Sequence, residues 1–367
     1  MPMGNIGAFA CRALQANYVD YFRQNSPEFK TGGSTALIKY LLSPQNTRGF
    51  KKIDVTSIPG KKRPVAFMVD NPYCFDVCSP AVDCETVRTV ISNPSMELVF
   101  DLTENAFRVC DGAGVPQKLS FSRADLAKYC TENDTSYIQR HVVRFLRRFE
   151  EALDKQLATL LLTFVGTNAD GGALTTLPFF VKNTATGTMA LNSDAMWWLG
   201  QNYEDISGVG QYALLGGKIL NRIGSMQKWS GLNSAGIDLT KIDDTNPYLY
   251  YDKNADGIFG QDNFLQLSPG AVQLVTFAEN AGPYKTEVTD LYSNGNIISP
   301  ATGLQIDWDW RYDYDCKVWT FEPFLHAELA VNRAGGCGGL STTNGIIRYA
   351  DCSNSMTPPA CPEVPVG

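Results

Sequence analysis

The chain has 367 residues, of which 44% are hydrophobic and 19% are charged, and these proportions exclude an intrinsically disordered protein. Its net charge of −7 excludes a surface that is basic throughout, as a protein covered by nucleic acid would have. The 16 Tyr, 19 Phe and 6 Trp favour β-structure or broad contact surfaces.

The first ten residues lack a basic segment followed by a continuous apolar run, so the sequence predicts no secretory signal. The longest apolar stretches are too short to cross a bilayer, because Thr159 and Thr163 interrupt the run Leu160–Leu162. We therefore expect synthesis in a cytoplasm and no membrane partner.

Ten cysteines are many for such a chain, but no C-x-x-C pair occurs among them. Cys74, Cys78 and Cys84 are close enough in sequence to share a metal ion. Neither of the two histidines, His141 and His326, lies near them. We expect buried or unpaired thiols and no metal, with a zinc site as the alternative.

Residues 1–45 are weakly periodic and indicate an N-terminal arm, largely extended. Residues 51–69 then predict a β-hairpin whose turn contains Pro59-Gly60. Its alternating apolar residues are Ile53, Val55, Val65, Phe67 and Val69, and its basic tip is Lys61, Lys62 and Arg63. A lone hairpin is barely stable, so this one is expected to project and to pack on another surface.

The strongest element is one long helix over 134–164, without Gly or Pro inside it. Its apolar residues recur every three or four positions and predict one buried stripe: Ile138, Val142, Phe145, Phe149, Leu153, Leu157, Leu160 and Phe164. At ~1.5 Å per residue the helix would be roughly 45 Å long. Four arginines (140, 144, 147 and 148) precede Glu150, Glu151 and Asp154, which predicts a solvated face with ion pairs one turn apart.

After Gly166 the pattern changes to shorter elements. Helices are predicted over 194–203 and 218–229, and strands over 248–251, 271–277, 305–312 and 317–331. The chain beyond Arg333 is rich in Gly, Pro, Ser and Cys, and this composition predicts an irregular tail on the surface.

The sequence contains no G-x-S-x-G, Walker A, dinucleotide-binding or H-E-x-x-H motif, so no catalytic residue is assigned. The acidic and aromatic segment 307–315 leaves a hydrolytic carboxylate pair open as an alternative. Asp307, Asp309 and Arg311 alternate and share one strand face, which favours a hairpin with its polar side toward solvent.

Residues 252–257 match the first half of a calcium loop, with oxygen-bearing side chains at Asp252, Asn254 and Asp256 and a glycine at Gly257. Position 12 of such a loop would be Asn263, where a bidentate Glu is needed. We expect a turn between strands and no bound calcium.

The order of these elements resembles the major capsid proteins of tailed bacteriophages with the Hong Kong 97-type fold. The segments 260–277 and 307–325 also resemble these proteins in sequence. The resemblance implies an α+β fold divided into an N-terminal arm, an E-loop hairpin, a peripheral domain with a long spine helix, and an axial domain. The expected ranges are the arm (1–45), E-loop (46–85), peripheral domain (86–165, spine helix 134–164), axial domain (166–300), returning strands (301–332) and C-terminal tail (333–367).

The same resemblance implies a structural protein without cofactor or catalytic role, assembling into the icosahedral head shell of the virion around the phage genome. Expected partners are further copies of itself in hexamers and pentamers, the portal, and packaged DNA bound on the inner face without sequence specificity. Since no long coiled coil precedes the arm, a separate scaffolding protein is also expected. The expected subunit contacts are the apolar and basic hairpin residues given above. The alternatives are a carbohydrate-active hydrolase using the 307–315 carboxylates and an extracellular calcium-dependent binding module.

Overall fold

The structure is a computed structural model that describes residues 35–47, 51–53, 64–70, 95–102, 106–111, 113–122, 136–166, 174–182, 189–205, 211–229, 248–279, 292–299, 302–331 and 345–353. The helices of these residues are α1 (Ala36–Leu41), α2 (Pro44–Thr47), α3 (Ser136–Leu162), α4 (Ser193–Asp205), α5 (Lys218–Trp229) and α6 (Ala255–Phe259). None of these helices combines the length and the apolar content that crossing a membrane requires.

The strands of the described residues fall in four sheets. The first eight strands are β1 (Lys51–Ile53), β2 (Pro64–Asp70), β3 (Ser95–Asp101), β4 (Ala106–Arg108), β5 (Leu119–Ser122), β6 (Thr175–Leu177), β7 (Phe180–Lys182) and β8 (Met189–Leu191). The others are β9 (Ala213–Gly216), β10 (Tyr248–Tyr251), β11 (Asn263–Leu267), β12 (Val272–Phe277), β13 (Tyr292–Ile298), β14 (Gln305–Asp313), β15 (Val318–Val331) and β16 (Ile346–Asp351).

The predicted hairpin is confirmed in its strands. β1 pairs antiparallel with β2, with Ile53 opposite Ala66. The third strand of this sheet is β3, which places Val65 opposite Phe100. The turn between β1 and β2, which includes Val55 and the basic tip, lies outside the described residues.

The predicted long helix is confirmed as one uninterrupted helix, α3, of 27 residues. It packs on the six-stranded sheet, in which β12, β15, β14 and β13 lie side by side and β4 and β5 also pair with β15. Its buried side chains are Val142, Val143, Leu146, Phe149, Leu153, Leu157, Ala158 and Leu161. Together with the inner face of the sheet, which includes Trp308 and Trp310, they form the larger hydrophobic core.

One residue of the predicted stripe is misplaced. Leu160 is 38% exposed, whereas its neighbour Leu161 is fully buried. From Leu157 a step of four residues stays on the buried face, because 3.6 residues complete a turn. Because Leu160, Leu161 and Leu162 are all apolar, the sequence alone did not show which of them continues the buried stripe.

A second hydrophobic core lies on one face of the five-stranded sheet β10-β9-β11-β16-β6, where α4 and α5 pack. The other face of this sheet, which includes Leu215 and Leu265, contributes to the larger core. The predicted irregular tail is wrong over β16, which lies inside this sheet between β11 and β6. Ile346, Ile347 and Tyr349 are buried there. Gly345, at a φ of 73°, precedes the strand. The Gly- and Pro-rich flanks concealed a short apolar segment whose burial depends on distant strands.

The expected boundary at residue 300 cuts through a sheet. β12 and β13 precede this boundary, yet both lie in the six-stranded sheet with β14 and β15. The strands returning to the long helix therefore begin at Val272, and the sheet with α4 and α5 is built from 175–267 together with β16.

The end of the expected extended arm is helical and buried, which corrects the prediction for 35–45. In α1, Leu37, Ile38 and Leu41 are fully buried within the larger core. Asn46 in α2 donates from its side chain to the carbonyls of Leu41 and Val272, and its side-chain oxygen accepts from the Gly270 N–H. The apolar residues of this segment are too few for a recognisable period, so only the tertiary contacts reveal the helix.

Replacing Leu153, which is 3% exposed in α3, with Asp should prevent stable folding, because it would bury an unpaired charge. We expect a loss of more than about 4 kcal/mol in the free energy of unfolding, measured by urea denaturation of whatever protein is soluble. The matched Leu160→Asp change introduces the same charge at a position that is 38% exposed and should cost about 1 kcal/mol or less. Equal losses in the two variants would contradict the assigned buried face.

Candidate functional site

Only some of the hairpin residues expected to contact another subunit lie within the described residues. Ile53, Val65, Phe67 and Val69 lie in β1 and β2, while Val55 and the basic tip lie outside the described residues. Val65 is 5% exposed, so it is buried against its own chain. Val65 is therefore unavailable as a contact in this arrangement, and the intermolecular role of the remaining residues stays a prediction.

The 307–315 carboxylates share one face of the six-stranded sheet, as expected, but this face is largely buried. Asp307 is fully buried and accepts a 2.6 Å hydrogen bond from the Glu279 N–H. Asp309 accepts a hydrogen bond from the Tyr292 hydroxyl at 3.2 Å and pairs with Arg311 at 2.9 Å. Burial raises the pKa of the Asp309 carboxyl. The prediction that this polar side faces solvent is wrong for Asp307, whereas Arg311 is exposed.

The centre of this polar face is Glu322, which lies directly opposite Asp309 on β15 and is 4% exposed. Its carboxylate pairs with Arg108 at the end of β4 and, at 3.3 Å, with Lys118 just before β5. Arg311 approaches within 3.9 Å. The carboxylates therefore hold strands together, and the arrangement offers no free acid–base pair of the kind that glycoside hydrolysis uses.

The two carboxylates of the calcium-like loop are engaged by backbone N–H groups of different segments. Asp252 is buried and accepts a 2.8 Å hydrogen bond from the Asn254 N–H. Asp256 lies in α6 and accepts from the Lys218 N–H at the start of α5. Their oxygens thus serve the backbone, and no group of three or more metal-ligating side chains occurs among the described residues.

A pair of buried carboxyls joins α3 to the end of β10. Asp154 is fully buried, and its Oδ1 accepts a 2.8 Å hydrogen bond from the Ile38 N–H in α1. The Asp252 carboxyl is close enough to influence that of Asp154. Burial, and then the neighbouring Asp252 carboxyl, raise the pKa of Asp154 well above its usual range, although the Ile38 N–H and Lys39 act in the opposite direction.

The cysteines of the described residues differ in state. Cys110 and Cys316 are free and exposed. Cys352, which follows β16, is buried and disulfide-bonded, so the expectation of thiols alone is wrong for this residue. The three clustered cysteines of the zinc alternative lie outside the described residues.

Sequence reasoning missed Asp154, Asn46 and Glu322 as structural polar residues. For Asp154 a signal existed, because it follows Leu153 and precedes Leu157 by three positions, within the arc that the apolar stripe defines. Asn46 and Glu322 carried no such signal, since their partners come from segments more than 200 residues away in sequence.

Comparisons with known proteins give matches among solved structures. The chain is similar to the capsid asymmetric unit of cyanophage A-1(L), with a TM-score of 0.49 and 10% identity over 80% of this chain and 89% of that one. It is also similar to a structure of Mycobacterium phage Bobi, with a TM-score of 0.45 and 10% identity over 87% and 90% of the two chains.

A third similar structure is the capsid of Ralstonia phage GP4, with a TM-score of 0.41 and 13% identity over 84% of this chain and 88% of that one. No protein-family model matches the chain, and no curated protein matches it.

The Asp154–Asp252 pair predicts a loss of stability as the pH rises. The raised pKa means that the folded chain keeps a proton that the unfolded chain releases above about pH 4. The contribution of Asp154 to the free energy of unfolding is therefore fully present below about pH 4, and it is lost as the pH rises through the raised pKa. Asp252→Asn removes the like charge beside Asp154. The melting temperature of this variant should therefore fall less than that of the wild type between about pH 5 and about pH 9, a range above the usual pKa of an aspartate.

Asp315→Asn provides the matched control, because Asp315 is an exposed carboxylate in the turn between β14 and β15. Its melting temperature should follow the wild-type dependence on pH. If Asp252→Asn and Asp315→Asn gave the same pH dependence, the influence of Asp252 on the pKa of Asp154 would be refuted.

Proposed function

We propose that this chain is the major capsid subunit of a tailed bacteriophage and self-assembles into the icosahedral shell around the genome. The observation that carries the proposal is the arrangement of elements in chain order. Paired strands at 51–70 precede a 27-residue helix laid on a six-stranded sheet, and a separate sheet with two helices follows. This is the order of E-loop, spine helix and axial domain that the sequence resemblance implies.

The proposed subdivision follows the two large sheets. The peripheral domain consists of α3 and the six-stranded sheet, and the axial domain consists of the five-stranded sheet with α4 and α5. β1 and β2 are the strands of the E-loop. The segment 35–47, although expected in the arm, packs into the peripheral core.

The polar groups support a structural role over a hydrolytic one. The carboxylates of the 307–322 region are engaged by Arg108, Lys118, Arg311 and backbone N–H groups. A glycosidase needs one carboxylic acid and one carboxylate facing its substrate. The oxygens of the 252–257 loop are likewise bound to the backbone, which disfavours the calcium-dependent module.

Large side chains exposed at separate places on the surface are consistent with contacts to several neighbours. They include Trp197 at 61%, Ile298 at 61%, Tyr314 at 65% and Val115 at 54% exposure. Aromatic residues are enriched where protein surfaces meet. A shell subunit must make such contacts on more than one side, because each copy has several neighbours.

The partners proposed with this role are further copies in hexamers and pentamers, a portal, a separate scaffolding protein, and packaged DNA on the inner face. The location is the virion, after synthesis in the host cytoplasm. No cofactor and no catalytic step belong to the proposed function.

The test is the mass of the purified chain, measured by light scattering and checked by negative-stain microscopy, with a scaffolding protein co-expressed where one is encoded nearby. We expect closed shells in the megadalton range. A chain that stays a monomer or dimer under all these conditions would overturn the proposal.

The basic E-loop tip predicts a specific assembly defect. Replacing Lys61 and Lys62 with Glu reverses two charges on a projecting turn, so the subunit should remain folded by circular dichroism while shell yield falls at least tenfold. Charge complementarity between subunits mainly fixes the orientation of docking. The matched control reverses two exposed lysines elsewhere, Lys218 and Lys317. Normal assembly of the tip variant would show that the E-loop tip is not a subunit contact.

A further inference from the structure

The charges of helix α3 are divided between its two faces. Glu150 and Asp154 are buried, with 1% and 0% exposure, and Glu151 retains only 11% side-chain exposure. Arg144 and Lys155 are exposed, and the side chain of Arg148 is 77% exposed. Glu150 and Asp154 thus point inward, whereas Arg144, Arg148 and Lys155 point outward.

The three outward cations lie on one line. At 100° per residue, Arg144, Arg148 and Lys155 fall within roughly 40° of arc, and at ~1.5 Å per residue they span about 17 Å along the helix. Arg147 and Lys253 border this line, with side-chain exposures of 22% and 50%. We call these five residues the basic face.

One carboxylate lies among these cations. Glu151 pairs with Arg148 at 2.8 Å, with Arg147 at 3.2 Å and with Lys253 at 3.8 Å. Within the described residues, no ion pair to Arg144 or Lys155 is present. The basic face therefore keeps a net charge of +4 (five cations and one carboxylate) on a chain whose net charge is −7.

The chemistry of this face favours a polyanion over a second protein subunit. Between the cations, the exposed positions are the small or polar residues Ala152, Gln156 and Thr159, with Leu160 at the end. Protein interfaces are enriched in arginine together with aromatic residues and are depleted of lysine. The exposed positions named here include two lysines of the basic face and no aromatic residue. A line of exposed cations that outnumber the one carboxylate among them instead matches the regular negative charge of a nucleic-acid backbone.

We propose that the basic face of α3 binds the phosphate backbone of duplex DNA without sequence specificity. The inference rests on the proposed function, in which the packaged genome is the polyanion that a shell subunit meets. It adds that the outward face of α3 is the side of the subunit turned toward the interior of the shell. The bound groups are phosphates contacted by arginine and lysine, so base sequence plays no part.

The experiment compares Arg144→Gln/Lys155→Gln with the wild type and with the control Lys218→Gln/Lys317→Gln. Each variant removes two exposed positive charges, and glutamine keeps the helix propensity of α3. Binding of the unassembled chain to a random-sequence duplex of DNA is measured by fluorescence anisotropy at several salt concentrations. Removing two phosphate contacts should reduce the slope of log K against log salt by about 1.8, and the control should keep the wild-type slope.

Absence of duplex binding by the wild type, or equal slopes for the wild type and the α3 variant, would overturn the inference. An unchanged DNA affinity with loss of shell assembly would also overturn it, because the basic face would then be a contact between subunits. If the wild type binds DNA through this face but never forms shells, the proposed function fails and the DNA-binding face remains. The two hypotheses are therefore separable in one set of measurements.

Discussion

The packing of α1 against α3 is the constraint on which the rest of the structure depends. α1 contacts α3, β9, β10 and β12, so its six residues join the long helix to both large sheets. The polar side of this junction is the Asp154 carboxyl, which accepts from the Ile38 N–H and lies close to the Asp252 carboxyl. Burial raises the pKa of Asp154, and the hydrogen bond from the Ile38 N–H joins α3 to α1.

The division of charge in α3 follows from the same junction. Because Glu150 and Asp154 serve partners inside the fold, they cannot neutralise the arginines on the outer side of the helix. Glu150 accepts a 2.6 Å hydrogen bond from the Thr302 hydroxyl, and burial raises its pKa. Among the described residues, the expected ion pairs one turn apart are confirmed for Glu151, which pairs with Arg147 and with Arg148. The surface charge of α3 is therefore a by-product of the polar contacts in its core.

The sequence predicted those elements whose own period is long enough to define a buried face. Helix α3 and strands β14 and β15 were recognised for this reason, and so was the chain order that carries the resemblance. The sequence could not reveal α1 or β16, since each is only 6 residues long and acquires its burial from distant segments. The polar face of β14 was misread as solvent-facing because Glu322 and its cations meet only in three dimensions. The hairpin tip remains a prediction.

The position of β16 within its sheet has a consequence for how the chain reaches its native state. β6 at Thr175–Leu177 pairs in parallel with Tyr349–Asp351, and β16 also separates β6 from β11. During translation this sheet cannot form completely until β16 has left the ribosome, and β16 is the last strand of the described residues. Until then β6 and β11 present open strand edges to every other nascent copy, and such edges are templates for aggregation. The yield of folded chain would thus depend on chaperones or on rapid late pairing of β16.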